Sequence, residues 1–180
     1  FFCVDSDDYL SHNAIKTLLE FINTYNPNGI IAYKTNCATN LMIGDCFPSQ
    51  LKDATLFSFI NRYYCSGDRS LIYKTKLLQK ITIPEPVGVK FFPETYLYDR
   101  FDEKYTSMLL GESLCECEYL DGGYSNSFRK LMIDNALSMK WFYRERLKMN
   151  VSFKEKWTFA YRYIAFSLLA KNKEYTYKGP

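Results

Sequence analysis

The chain has 180 residues, 47% of them hydrophobic and 24% charged. That is enough for one domain with a sizeable core, and it excludes general disorder, a collagen-like repeat, a disulfide-stapled miniature or a membrane-spanning bundle. The net charge of +3 hides a division: residues 1–128 carry 11 Lys/Arg against 16 Asp/Glu, whereas residues 129–180 carry 12 against 4. Aromatic residues are dense at 18%, with 16 Tyr and 14 Phe.

Cysteine and histidine usage narrows the chemistry. The six cysteines (Cys3, Cys37, Cys46, Cys65, Cys115 and Cys117) contain no C-x-x-C pair, and His12 is the single histidine. A Cys/His zinc site, a two-histidine metal helix and a Ser-His or Cys-His nucleophile are therefore poor candidates. The cysteines read as reduced thiols, mostly buried, in a cytoplasmic protein. The most hydrophobic stretch, residues 161–170, includes Arg162 and is about half the length a bilayer requires, and neither it nor the start of the chain reads as a signal peptide.

In chain order, Phe1-Phe2-Cys3-Val4 reads as a buried strand cut at its own first residue, and so as the start of a fragment. Ile15, Leu18, Leu19 and Ile22 recur at helical spacing after Asn13, and Asn26-Pro27-Asn28-Gly29 ends that helix. Residues 29–33 form a short buried strand, 36–48 a variable loop, and 50–64 a second helix. Residues 70–73 are a strand and 74–80 a short helix. The prolines near 81–86 favour extended chain, and 87–92 is strand or loop. Residues 95–110 are expected as helix, 114–120 as strand and 121–123 as a glycine turn. The alternation of strands and helices gives an α/β fold. Residues 128–148 are helical by composition. Ser152 and Glu155 have capping-box spacing and start a helix with Trp157, Ala160, Tyr161, Ile164 and Leu168 on one face.

The segment Asp5-Ser6-Asp7-Asp8 is the most informative. Carboxylates at the carboxyl edge of a sheet lie where α/β proteins bind ligands. Their mutual repulsion calls for a neutralising partner, and a divalent cation with hard oxygen ligands is the usual one. The competing reading makes Asp7 and Asp8 acids that open the next helix, where the helix dipole favours them. Tyr9 and Leu10 break the spacing of a Ca²⁺ loop, and no G-x-x-x-x-G-K-[ST] is present.

Residues 1–14, FFCVDSDDYLSHNA, resemble the D-x-D-D motif of family 2 glycosyltransferases, with its preceding apolar strand and its Asn-Ala helix start. Residues 70–74, Phe92-Pro93-Glu94-Thr95 and the segment 118–125 follow in the order of that family's later landmarks. The resemblance covers most of residues 1–128. It implies a partial GT-A fold, residues 1–128 being the C-terminal part of the catalytic domain and 129–180 a helical extension. It also implies that the donor-binding first half lies upstream. On this resemblance Asp5 and Asp7 bind the metal, Mn²⁺ or Mg²⁺, and Asp5, Asp7 and Asp8 face the donor diphosphate. Glu94 is the catalytic base, with Asp99 in reserve, since Thr95 replaces the family's usual acid. Glu94 as a plain helix-start acid and Asp99 as an ion-paired surface acid are the competing readings.

The implied activity is metal-dependent, inverting transfer of a sugar from a nucleotide-diphosphate donor to a glycan or lipid-linked acceptor, in polysaccharide assembly at the cell surface. A non-catalytic sugar- or partner-binding module that retains the fold is the alternative. The basic, aromatic extension 129–180 suits peripheral contact with the inner face of a membrane. The competing reading has its aromatics cover the catalytic core, either the part in this chain or the part upstream, and leaves the charges solvated. Nucleic acid is not an expected partner, because residues 1–128 are acidic and no RNA-binding motif occurs.

Overall fold

The computed structural model describes residues 1–84, 87, 89, 91–117 and 124–176. Its elements are β1 (Asp8–Leu10), α1 (Ala14–Tyr25), β2 (Gly29–Asn36), β3 (Asp53–Ala54), α2 (Leu56–Asn61), β4 (Arg69–Tyr73), α3 (Thr75–Leu78), α4 (Thr95–Asp102), β5 (Ser107–Cys117), α5 (Tyr124–Asp134), α6 (Ala136–Arg146) and α7 (Phe153–Thr176). The chain is mixed α/β. It divides into two compact units, Phe1–Thr82 with Arg100–Leu120 and Ile83–Asp99 with Asp121–Pro180. The second unit thus takes in residues 83–99 as well as the basic extension.

The first unit is built on a mixed sheet of order β1-β5-β2-β4, with β3 also pairing β5. β2 runs parallel to β5 and antiparallel to β4. Ile30, Ile31, Ala32 and Tyr33 are all buried, the continuous apolar run of a strand covered on both faces. Ala14 and Leu18 of α1 pack with Ile30, Ala32, Ile72, Leu110 and Leu114, and Phe21 and Ile22 extend the cluster. Asn26 closes α1 in the left-handed conformation (φ 47°), its N–H donating to the Ile22 carbonyl.

Several elements differ from the sequence reading. Residues 1–4 are not a strand. Only Phe2 bridges Ile72, with the Phe1 carbonyl accepting from the Tyr73 N–H, and the strand instead starts at Asp8, paired to Cys117. In α1 the core face is Ala14, Leu18, Phe21 and Ile22, while Ile15 and Leu19 are exposed. The expected helix over 50–64 is shorter, because Asp53 and Ala54 pair with Met108 and Ser107 and the Thr55 hydroxyl then caps α2 at the Ser58 N–H. The expected helix over 95–110 ends at Asp102. Met108, Leu109 and Leu110 belong to β5, whose pairing on both edges outweighs their helical propensity. Residues 128–148 divide at Asn135 into α5 and α6. The turn expected at 121–123, and residues 118–120 of the expected strand, lie outside the described residues.

In the second unit the two arms of the capping box are both made. The Ser152 N–H donates to Glu155 Oε2 (2.6 Å) and the Glu155 N–H to Ser152 Oγ (3.3 Å). α6 and α7 pack through Tyr143 and Phe166, whose rings stack 5.7 Å apart. Trp141 of α6 packs against Phe92 and Tyr96 at about 5 Å. No helix among the described residues is long and apolar enough to cross a membrane.

Candidate functional site

The carboxylates of the 5–8 segment gather at one end of the sheet. A turn closed by the Asp8 N–H on the Asp5 carbonyl (3.1 Å) leads into β1, and β1 pairs with the last residues of β5. Lys34 continues the buried run of β2, and the antiparallel register that sets Tyr33 opposite Arg69 brings Asp68 to the level of Lys34. The Lys34 ammonium donates to Asp8 Oδ2 at 2.7 Å and to Asp68 Oδ2 at 2.9 Å, and stands 3.6 Å from Asp5 Oδ2.

Burial divides these acids. The side chains of Lys34 and Asp8 are 7% and 6% exposed, against 68% for Asp5 and 50% for Asp68. Asp7, on the turn, is exposed and makes no hydrogen bond or ion pair among the described residues. Burial alone would pull the Lys34 pKa down. The hydrogen bonds and charges of Asp68 and Asp8 outweigh it and hold the pKa above the ordinary lysine value. Beside the cluster, burial first and the Asp8 charge second push the Cys117 thiol up to about 11, and burial raises Cys115 as well.

The carboxylate repulsion legible in the sequence is therefore met in part by a lysine. Lys34 and Asp68 were missed in the sequence. The available signal is a cation directly after an apolar buried run, which requires counter-charges close by.

The residues fit a divalent cation in one respect. Mg²⁺ is commonly held by one or two protein carboxylates and completes its shell with waters and substrate phosphates. Asp5 and Asp7 are the two exposed acids of the turn, Asp5 at ion-pair distance (3.6 Å) from Lys34, whereas the buried Asp8 is hydrogen-bonded to it. Among the described residues, no group of three or more His, Cys, Asp or Glu side chains is arranged to hold a metal without such help.

A loop over residues 37–52 belongs to the same unit and is anchored by Arg69. Its guanidinium donates to the carbonyls of Ile43, of Asp45 (2.7 Å) and of Ser66 (2.7 Å), and lies over the Tyr33 ring, 5.1 Å from its centroid. Asp45 accepts from the Ser66 hydroxyl (2.6 Å) and N–H (2.7 Å), and these bonds lower its pKa.

The two remaining acids belong to the second unit. Glu94 is exposed just before α4 and accepts a long hydrogen bond (3.4 Å) from the Tyr98 hydroxyl. Asp99 is 3% exposed and receives two parallel hydrogen bonds from Arg146, Nε to Oδ2 at 2.7 Å and a terminal guanidinium nitrogen to Oδ1 at 2.9 Å. The Arg146 guanidinium lies over the Phe142 ring at 4.6 Å. That geometry makes Asp99 an anchor between α4 and α6.

Of the cysteines, Cys65, Cys115 and Cys117 are buried and Cys3, Cys37 and Cys46 are exposed, fewer buried than the sequence reading expects. No family model, curated protein or solved structure matches the chain.

Proposed function

We propose that the chain is part of a metal-dependent, inverting glycosyltransferase that moves a sugar from a nucleotide-diphosphate donor to a glycan or lipid-linked acceptor in cell-surface polysaccharide assembly. The supporting observation is the division of labour in the 5–8 turn. Asp8 is buried on Lys34, while Asp5 and Asp7 face solvent as two hard-oxygen groups. Lys34 fixes the turn by holding Asp8 and Asp68, and so positions the two outward acids. A divalent cation bound there supplies Lewis-acid stabilisation of the departing diphosphate. The partial GT-A fold belongs to this same proposal.

Glu94 is the proposed base that takes the proton from the attacking acceptor hydroxyl. Its exposure and the absence of a cationic partner among the described residues leave the carboxylate accessible. Asp99, tied to Arg146, acts as a positioning residue for α4. Glu94→Gln in the active protein lowers turnover by about 10²-fold or more without weakening donor binding. Unchanged turnover in this variant overturns the assignment.

A second reading is a binding module that keeps the fold without catalysis. Two observations favour it: the Lys34 ammonium neutralises part of the cluster without a metal, and Thr95 stands where the resemblance calls for an acid. Metal-independent binding of a glycan, without transfer, is its signature.

A further inference from the structure

α7 has two apolar faces, and among the described residues only one is buried. Phe159, Phe166 and Ala170 are buried, with Phe159 and Phe166 set against Tyr143 of α6. On the opposite side Phe153, Trp157, Tyr161, Ile164 and Leu168 are 83%, 70%, 70%, 57% and 60% exposed. Their spacing of four, four, three and four residues keeps them on one stripe along the helix. A stripe of five large apolar groups is costly to leave in water.

The charges around the stripe identify its occupant. Lys154 and Lys171 flank it, both exposed, and neither is held in an ion pair among the described residues. The α7 acid with a described side chain, Glu155, lies away from the stripe and is engaged in the capping box. Tyr163, on the flank between the buried face and the stripe, lines a pocket of about 250 Å³ together with Leu137, Trp141 and two further cations, Lys140 and Arg144, the latter 3.4 Å from Glu145 and still half exposed. A second copy of this chain seated on the stripe by a two-fold axis would meet lysines with lysines. An anionic bilayer meets them with phosphates, and its interfacial region is where Trp and Tyr rings partition best.

We infer that the outer face of α7 lies in the interface of an anionic membrane, with Trp157 and Tyr161 among the headgroups and Lys140, Lys154, Arg144 and Lys171 on lipid phosphates. The helix rests in the plane of the surface and does not span it. The inference stands on α6 and α7 alone and is independent of the transferase reading.

Tryptophan fluorescence tests it on the intact chain, because the only other tryptophan, Trp141, is buried. Vesicles of phosphatidylcholine containing phosphatidylglycerol are expected to shift the Trp157 emission to the blue, and vesicles of phosphatidylcholine alone are not. Trp157→Ser with Tyr161→Ser, followed by co-sedimentation, and separately Lys154→Glu with Lys171→Glu, each reduce partitioning by at least about tenfold while circular dichroism stays unchanged. Absence of binding to either vesicle overturns the inference, as does equal binding to both. A concentration-dependent dimer abolished by Trp157→Ser also overturns it, because a second copy then covers the face.

Discussion

The Lys34 ammonium donates to Asp8 Oδ2 at 2.7 Å, and both side chains are almost wholly buried. The buried run of the strand at the core of the sheet thus ends in a cation that fixes the acidic turn. Removing one member of such a pair leaves the other charge buried and uncompensated. Lys34→Met is therefore expected to destabilise the protein by about 3 kcal/mol or more in urea unfolding.

The same pair has a defined pH dependence. The folded-state pKa of Lys34 is raised, so its contribution is fully present below the ordinary lysine value of about 10.4 and is lost as pH rises through the higher folded value. Unfolding midpoints of wild type and Lys34→Met are expected to keep a constant difference from pH 6 to pH 9 and to converge only in strong alkali.

Arg146 binds Asp99 through two nitrogens while stacking on Phe142. Lysine cannot reproduce that planar fork. Arg146→Lys, which keeps the charge and loses a charge-assisted hydrogen bond, is expected to cost about 1.5–3 kcal/mol, measured by denaturant unfolding. Asp99→Asn should lose activity in step with stability, unlike Glu94→Gln.

The 37–52 loop depends on a close backbone approach between Gly44 (φ +76°) and Gly67 (φ +96°), where a Cβ on Gly67 would come within 2.4 Å of the Gly44 Cα. Gly67→Ala is expected to speed proteolysis within this loop and to lower the thermal midpoint. Asp45 adds a pH term to the same loop. Its pKa is lowered by Ser66, so its contribution is present above the ordinary carboxylate value of about 3.9 and is lost as pH falls through the lower folded value.

Thiol alkylation reads the burial pattern directly. Near pH 8 the exposed Cys3, Cys37 and Cys46 are expected to react, while Cys65, Cys115 and Cys117 are protected by burial and, at Cys117, by a pKa raised to about 11. Intact mass spectrometry should find three adducts in the native chain and six in denaturant.

How much of this was legible in the sequence depended on range. Ser152 and Glu155 announced the start of α7 because a capping box is local, and the Asn26-Pro27 stop of α1 was legible for the same reason. Met108, Leu109 and Leu110 were read as helix because a short apolar run carries no period of its own; pairing with residues 29–32 and 53–54 decides their state. The stripe of α7 was visible, but a helix with two apolar faces does not say which one is buried. In the site, the acidic turn was legible, whereas Lys34 and Asp68 lie 26 and 60 residues beyond Asp8 and are joined to it only by strand register.

Calorimetric titration of the active protein, with the donor-binding half that the proposal places upstream included, with nucleoside diphosphates and with and without Mn²⁺, tests the central claim most directly. The account predicts binding that requires Mn²⁺ and disappears in Asp7→Ala, a variant whose folding should match wild type because Asp7 is exposed and makes no hydrogen bond or ion pair among the described residues. Binding that is indifferent to Mn²⁺, or that survives in Asp7→Ala, would contradict it and leave the 5–8 turn as a structural ion cluster built around Lys34.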